Sequence, residues 1–279
     1  MRAYYAFRQH VICDYDGEFG YELISVLPFA YWLHTQGKLK QSISASDTKA
    51  YYFFSNNHVE KYEKRRYVIP KKFPVHNIHV RFLNTMMWTP PPLKDYYQND
   101  ECVFDKPLLV ICNKYNSEWG HPPITFLSKH CLEQLLSVLT PHYSVVYCRP
   151  YHKEFVEDNS EVYNLDEHSM IKEKFPDVMF IQDLKEQYPQ YSFNELQCRV
   201  FANADRFISV QGGYSILCSY FKGENIIYGA QSPLRTADEI KYKAFKRWYH
   251  KFSGSKITYV PTYKDLLHQV DKQYVQSLF

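Results

Sequence analysis

Residues 206–229, RFISVQGGYSILCSYFKGENIIYG, decide how this chain is read. A β-forming run, Arg206–Val210, stops at Gln211-Gly212-Gly213. A helical pattern follows over Tyr214–Phe221, and Gly223 reads as its stop. Asn225–Tyr228 is strand-like again. Strand, glycine turn, helix and strand together make a βαβ unit. The N–H groups that open such a helix lack partners within it, and the helix dipole makes that point attractive to anions. A nucleoside diphosphate would fit there, beside Gln211, Gly212, Gly213, Tyr214 and Ser215. An ordinary βα turn that needs glycine for its φ angles has the same local pattern.

Working outward, the same alternation recurs. Pro107–Cys112 (PLLVIC) is a continuous apolar run, as a strand buried on both faces requires. Leu127, Cys131, Leu132, Leu135 and Leu139 then fall on one side of a helix. Tyr143–Tyr147 and Val178–Ile181 read as strands. Ser192-Phe-Asn-Glu195 matches a capping box. Lys256–Val260 is the last strand, and Tyr263–Tyr274 is helical. Upstream, His10–Cys13 is a first strand, followed by helical spacing from Leu23 to His34. Pro28 should bend that helix or shift its start. Ala50–Phe54 and Ile78–Phe82 are further strand candidates. The Pro-rich stretch 84–106 reads as a linker. The expected class is α/β, with two Rossmann-like domains of mostly parallel sheets facing each other across a cleft. The expected boundaries are 1–95, 96–262 and a C-terminal helix, 263–279, packing back on the first domain.

Bulk properties narrow the function. The chain has 279 residues and a net charge of +3 without a dominant single-sign tract, so no nucleic-acid partner is expected. Its seven cysteines form no C-x-x-C pair and read as buried thiols in a reducing compartment rather than a disulfide frame or zinc site. No run approaches the roughly 20 apolar residues of a membrane span, and the start does not read as a signal peptide. A cytoplasmic protein with no integral membrane contact is expected. Aromatic residues reach 18%, and tyrosine offers a sugar ring an apolar plate with a polar tip, although most rings should fill the core.

Ligands in parallel sheets bind beyond the C-terminal strand ends, which selects three further loops. After PLLVIC, Lys114 could neutralise phosphate, and Asn113 could hydrogen-bond it. Solvated loop lysines are nonetheless common. At the end of Tyr143–Tyr147, Arg149 suits bidentate phosphate binding or a surface ion pair. The opening stretch, ICDYDGEFGYELISVLPF, carries Asp14 and Asp16. As a pair they could hold a metal, but they come after a single strand, before any nucleotide pocket is built. Asp16 therefore reads as a general base in a βα loop, with Glu18 and Glu22 next in line. Glu22 could instead simply favour the helix N-terminus.

The opening stretch, the mid-chain linker and SVQGGYSILCSYFKGENIIYG together resemble a GT-B glycosyltransferase, in fucosyltransferase-like and related branches. The short first domain and reduced cysteines also resemble glycosyltransferases of large DNA viruses, including the chlorovirus capsid-glycan enzymes. The chain departs from better-known patterns in carrying Gln211 where they have His, and in lacking an HxRR-type motif. The resemblance implies a nucleotide sugar in the C-terminal domain, a glycan or glycoprotein acceptor in the N-terminal one, and neither cofactor nor obligatory metal. It places Gln211–Ser215 by the diphosphate, with Lys114 and Arg149 assisting and Asp16 deprotonating the acceptor in an inverting displacement. UDP is the expected nucleotide, carrying a xylosyl or another pentosyl or hexosyl group. The alternatives are a metal-dependent transferase using Asp14 and Asp16, or a non-catalytic nucleotide- or carbohydrate-binding protein.

Overall fold

Two parallel sheets organise the chain in the computed structural model, which describes residues 10–66, 85–117, 121–149, 160–230 and 249–278. The first sheet holds β1 (Val11–Asp14), β2 (Leu39–Ala45) and β3 (His58–Tyr62) in sequential order. The second holds β4 (Leu108–Cys112), β5 (Ser144–Cys148), β6 (Met179–Phe180), β7 (Arg206–Val210), β8 (Glu224–Tyr228) and β9 (Lys256–Val260). Its spatial order is β6-β5-β4-β7-β8-β9, with every pair parallel. This is the doubly wound Rossmann order, in which the winding reverses between β4 and β7. All five residues of β4 are buried, because helices cover both faces of the sheet at its centre.

Ala50–Phe54, expected as a strand, is instead a series of turns. Tyr51 N–H donates to the Thr48 carbonyl (2.9 Å), and Ser55 N–H to that of Tyr52 (2.8 Å). β1 pairs with LKQSISA, which pairs in turn with HVEKY, and the polar residues of both hid them as strands. HVEKY is an edge strand whose middle residues face water, and the serines of the central LKQSISA bond within the lobe, Ser42 Oγ to Ser55 Oγ (2.8 Å) and Ser44 Oγ to Glu22. The Ile78–Phe82 candidate lies outside the described residues.

Pro28 shapes the junction between the lobes. It stands in the first turn of the Leu27–Thr35 helix, directly after a π-helical turn, Glu22–Val26. Leu27 N–H donates to Glu22 O, five residues back, so the Leu23 carbonyl loses its α-helical partner. Pro28 has no N–H for Ile24 O. Both freed carbonyls accept from elsewhere: Leu23 O from the Tyr220 hydroxyl (2.5 Å), and Ile24 O from Trp88 Nε1 (2.6 Å). Tyr220 belongs to the second lobe and Trp88 to the connecting stretch. The proline thus converts a helix irregularity into a tie between parts of the chain distant in sequence.

The described part of the 84–106 stretch read as a linker is partly built into the core. Trp88, Leu93 and Tyr97 are buried, and Leu93–Tyr97 is helical. The expected boundary at 95 falls inside that helix. The C-terminal segment packs on the six-stranded sheet rather than on the first lobe. Leu266, Val270 and Tyr274 join that sheet's core, and the Tyr274 hydroxyl bonds Phe207 O (2.9 Å) and Glu224 O (3.0 Å). The seven cysteines are all buried and free.

Candidate functional site

The winding reverses between β4 and β7, and open parallel sheets place ligands at the loops that follow such a pair of strands. Both loops were singled out by sequence, and the fold brings them together. Lys114 Nζ lies 3.6 Å from where a Cβ on Gly212 would stand. Gly212 has φ +144° and ψ −159°, a conformation that essentially only glycine adopts.

The Gly213–Cys218 helix starts from this turn. Gly212 N–H donates to Ser215 Oγ (3.2 Å), whose hydroxyl donates back to Gly212 O (2.8 Å). Ile216 N–H bonds that same carbonyl (3.3 Å). The remaining first-turn amides have no carbonyl within the helix to bond. Ser215 is fully buried and closes the turn from inside, also meeting the Tyr249 hydroxyl at 3.2 Å. Gln211 is buried, with Oε1 accepting from the Tyr259 hydroxyl (3.2 Å). Tyr214 is held by Gln197 Nε2, which donates to its hydroxyl (2.8 Å), and burial pushes the phenol well above its usual pKa. Gly212, Gly213 and Tyr214 remain half-buried.

Two expected donor contacts have other duties. Asn113 is fully buried and its amide is occupied at both ends. Nδ2 donates to Leu127 O (3.0 Å) and Tyr147 Oη (3.1 Å), while Oδ1 accepts from Lys114 N (2.9 Å) and Leu127 N (2.8 Å). It shapes the loop that carries Lys114. Arg149 is 1% exposed and paired with Glu167, through Nε to Oε1 and through Nη2 to Oε2 at 3.0 Å. Tyr147 joins the same carboxylate at 3.1 Å. A guanidinium buried without a counter-ion would be very costly, and Glu167 supplies the counter-ion from within the fold. Sequence alone could not show this, because Glu167 is distant in the chain and unremarkable in pattern.

The opening loop divides its carboxylates. Glu22 is 1% exposed and accepts from the Tyr52 hydroxyl (2.8 Å) and Ser44, with Arg65 Nη2 at 2.7 Å. So enclosed, it anchors Arg65 instead of facing a substrate. Arg65 in turn donates to Gly17 O (2.9 Å) and stands over the Phe19 ring, 5.4 Å from its centre. Sequence reading missed Arg65. Arg65 stands in a basic run of the sequence, Lys61–Lys72, and such runs are most often solvated faces. Asp16 is 20% exposed and pairs with Arg66. Asp14 accepts from the Tyr62 hydroxyl (2.5 Å), a bond that helps push the Tyr62 phenol up to about 12. Glu18 is half-buried at the start of the Phe19–Tyr21 turn, where its carbonyl accepts from Glu22 N–H (3.1 Å).

The two regions meet. A Cβ on Gly213 would lie 2.8 Å from Phe19 Cδ1, and one on Gly20 would lie 3.6 Å from Ile216 Cδ1. The loop that carries Asp16 is therefore packed against the helix that starts at the glycine pair. Among the described residues no cluster of His, Cys, Asp or Glu suits a metal ion, and no helix is long and apolar enough to cross a membrane.

No protein-family model matches the chain, and a comparison with curated proteins found no match. Among solved structures, the fold is similar to that of E. coli ADP-heptose LPS heptosyltransferase II. The TM-score is 0.55 at 10% identity, covering 98% of this chain and 100% of that one. It is also similar to E. coli heptosyltransferase WaaC with ADP, at a TM-score of 0.42 and 12% identity, covering 97% of this chain and 72% of that one. At such identities the likeness is one of fold. It extends across both sheets and agrees with the two-domain Rossmann-like class expected from sequence.

Proposed function

We propose that this chain is a glycosyltransferase that moves a sugar from a nucleoside diphosphate to a glycan hydroxyl. The observation that carries this reading is the placement of Lys114 against Gly212 at the point where the six-stranded sheet reverses its winding. An ammonium, a glycine turn open to close backbone approach and first-turn amides are what a diphosphate requires. The whole-chain fold likeness to a heptosyltransferase supports the same reading.

In the proposed reaction Asp16 accepts the proton of the acceptor hydroxyl as its oxygen attacks the anomeric carbon. The bond from that carbon to the diphosphate oxygen breaks, and the diphosphate leaves with the electron pair. Lys114 and the amides that open the Gly213–Cys218 helix stabilise the departing charge. Such a displacement inverts the anomeric centre. Asp14 and Asp16 are held by different partners, Tyr62 and Arg66, which favours a reaction that does not use them as a metal pair.

UDP is the donor nucleotide expected from sequence. The first structural neighbour is named for ADP-heptose, which puts ADP beside it. A thermal-shift series with UDP, ADP and GDP tests the donor site, because a ligand that binds only the folded chain raises its melting temperature. One nucleoside diphosphate should raise Tm while its nucleoside does not. No response to any of the three would overturn the proposal.

A further inference from the structure

We propose that a groove at the seam between the lobes is a saccharide subsite, distinct from the turn at Gly212-Gly213. This rests on the glycosyltransferase reading and extends it to the acceptor. The groove has a volume of about 510 Å³. Pockets that hold small ligands run from about 300 to 1,000 Å³.

Its aromatic wall comes from two parts of the chain. Phe53, from the turns after β2, stacks on Tyr96 of the connecting helix, with centroids 3.8 Å apart and planes 18° apart. Tyr97 meets Phe53 edge-on at 6.1 Å and fixes it. One Tyr96 face is covered by that stack, yet the residue is 55% exposed. A large ring held flat against a second ring and still open to water is an apolar plate with a polar tip, suited to the C–H face of a pyranose.

Polar groups surround the plate. Asp47, Glu60 and Glu195 line the groove together with Lys49 and Arg199. Arg199 pairs with Glu195 at 3.1 Å, and Lys49 N–H donates to Glu60 Oε1 at 2.8 Å. Three acids against two bases leave the lining close to neutral, which suits an uncharged sugar better than a phosphate or a uronate. Carboxylates can accept several hydrogen bonds each and so take hydroxyls without releasing their present partners.

The lining is rigid where the lobes join. Asp47 accepts from Asn194 N–H (2.9 Å), and its backbone carbonyl accepts from Asn194 Nδ2 (2.5 Å). One layer of side chains separates the groove from the donor turn. Ala50 precedes Tyr51, which packs on Phe19 at 5.5 Å between ring centres. Gln197, on the opposite side of its helix from Glu195 and Arg199, holds Tyr214. A sugar chain with one unit in the groove and another near Asp16 would therefore be bound along the seam.

The test is saturation-transfer NMR on the full chain with methyl α-mannoside, methyl β-glucoside, maltotriose and N-acetyllactosamine as probes. At least one should bind wild type, and Tyr96→Ala should weaken it about tenfold, the size of a lost stacking contact. Glu60→Gln, at an exposed position, should weaken it severalfold and serves if Tyr96→Ala does not fold. Absence of binding by all four, or binding indifferent to both substitutions, would overturn the groove assignment. Nucleotide thermal shifts on the same variants keep the two readings apart. A nucleotide response without saccharide binding sinks only the groove, and saccharide binding without a nucleotide response sinks the transferase reading.

Discussion

Phe19 of the first lobe rests on Gly213 of the second, so closely that a Cβ at 213 would stand 2.8 Å from the ring. The contact joins the loop that bears Asp16 to the helix start that bears the glycine pair. Arg65 stands over the same ring, and Glu22 fixes Arg65. A buried ion pair in the first lobe thus helps set the position of a turn in the second.

Overpacking at that contact should be measurable. Gly213→Ala must displace the Phe19 ring, and insertions of this size cost about 1–3 kcal/mol. Thermal denaturation should show a lowered Tm, and the Gly213→Ala/Phe19→Ala double variant should recover part of it. If the two substitutions add without coupling, the Phe19 ring does not meet Gly213 as described. Gly213→Val should in addition weaken nucleotide binding.

Asp16→Asn separates chemistry from binding. It removes the proposed base and leaves the glycine turn intact, so nucleotide thermal shifts should persist while transfer falls at least a hundredfold, the lower end of what a general base contributes. Turnover near wild type would remove Asp16 from the mechanism.

Lys114 and Arg149 should behave as opposites. Lys114→Ala should weaken diphosphate affinity about tenfold, as loss of a partly exposed charge–charge contact does, with little change in Tm. Arg149→Ala leaves Glu167 buried without its counter-ion and should destabilise by about 3–5 kcal/mol. Urea denaturation and nucleotide titration on the two variants would check both halves.

The carbonyls freed around Pro28 make a fourth case. Tyr220→Phe removes the donor to Leu23 O in a buried place, and a stranded carbonyl costs about 1–3 kcal/mol. Chemical denaturation should show this loss. An unchanged midpoint would mean that another group satisfies Leu23 O.

His58 gives a pH signature. Burial lowers its pKa below the ordinary value of 6.5, and it sits between Ser42 Oγ (2.8 Å) and Thr48 Oγ1 (3.0 Å), stacked on Tyr52. The unfolded chain therefore binds a proton at a pH where the folded one does not. Stability rises with pH across that window and is lost as pH falls from about 6.5 toward the folded value. Tm measured from pH 7.5 to 5.5 should fall more steeply for wild type than for His58→Gln, and parallel curves would contradict this.

Much of the second lobe was legible in the sequence. PLLVIC, the Ser192–Glu195 box and RFISVQGG carry strong local patterns, so sequence placed β4, the start of the Phe193–Ala202 helix and β7 within a residue or so. The first lobe was less so. LKQSISA and HVEKY have strand geometry with polar residues, while YYFF has strand composition without strand geometry. Polar strands and aromatic turns obtain their conformation from neighbours, which a linear pattern does not contain.

The site divides in the same way. Sequence by itself determined the glycine turn after Val210, because φ +144° at Gly212 is a local demand that only glycine meets at low cost. It also determined that Lys114 follows a buried strand. Tertiary structure alone decided that Lys114 stands over Gly212, that Arg149 is paired with Glu167 inside the fold, and that Phe19 abuts Gly213. The physical reason is that a charge or a ring acts through what lies within a few ångströms. Those neighbours are set by strand order, not by position along the chain.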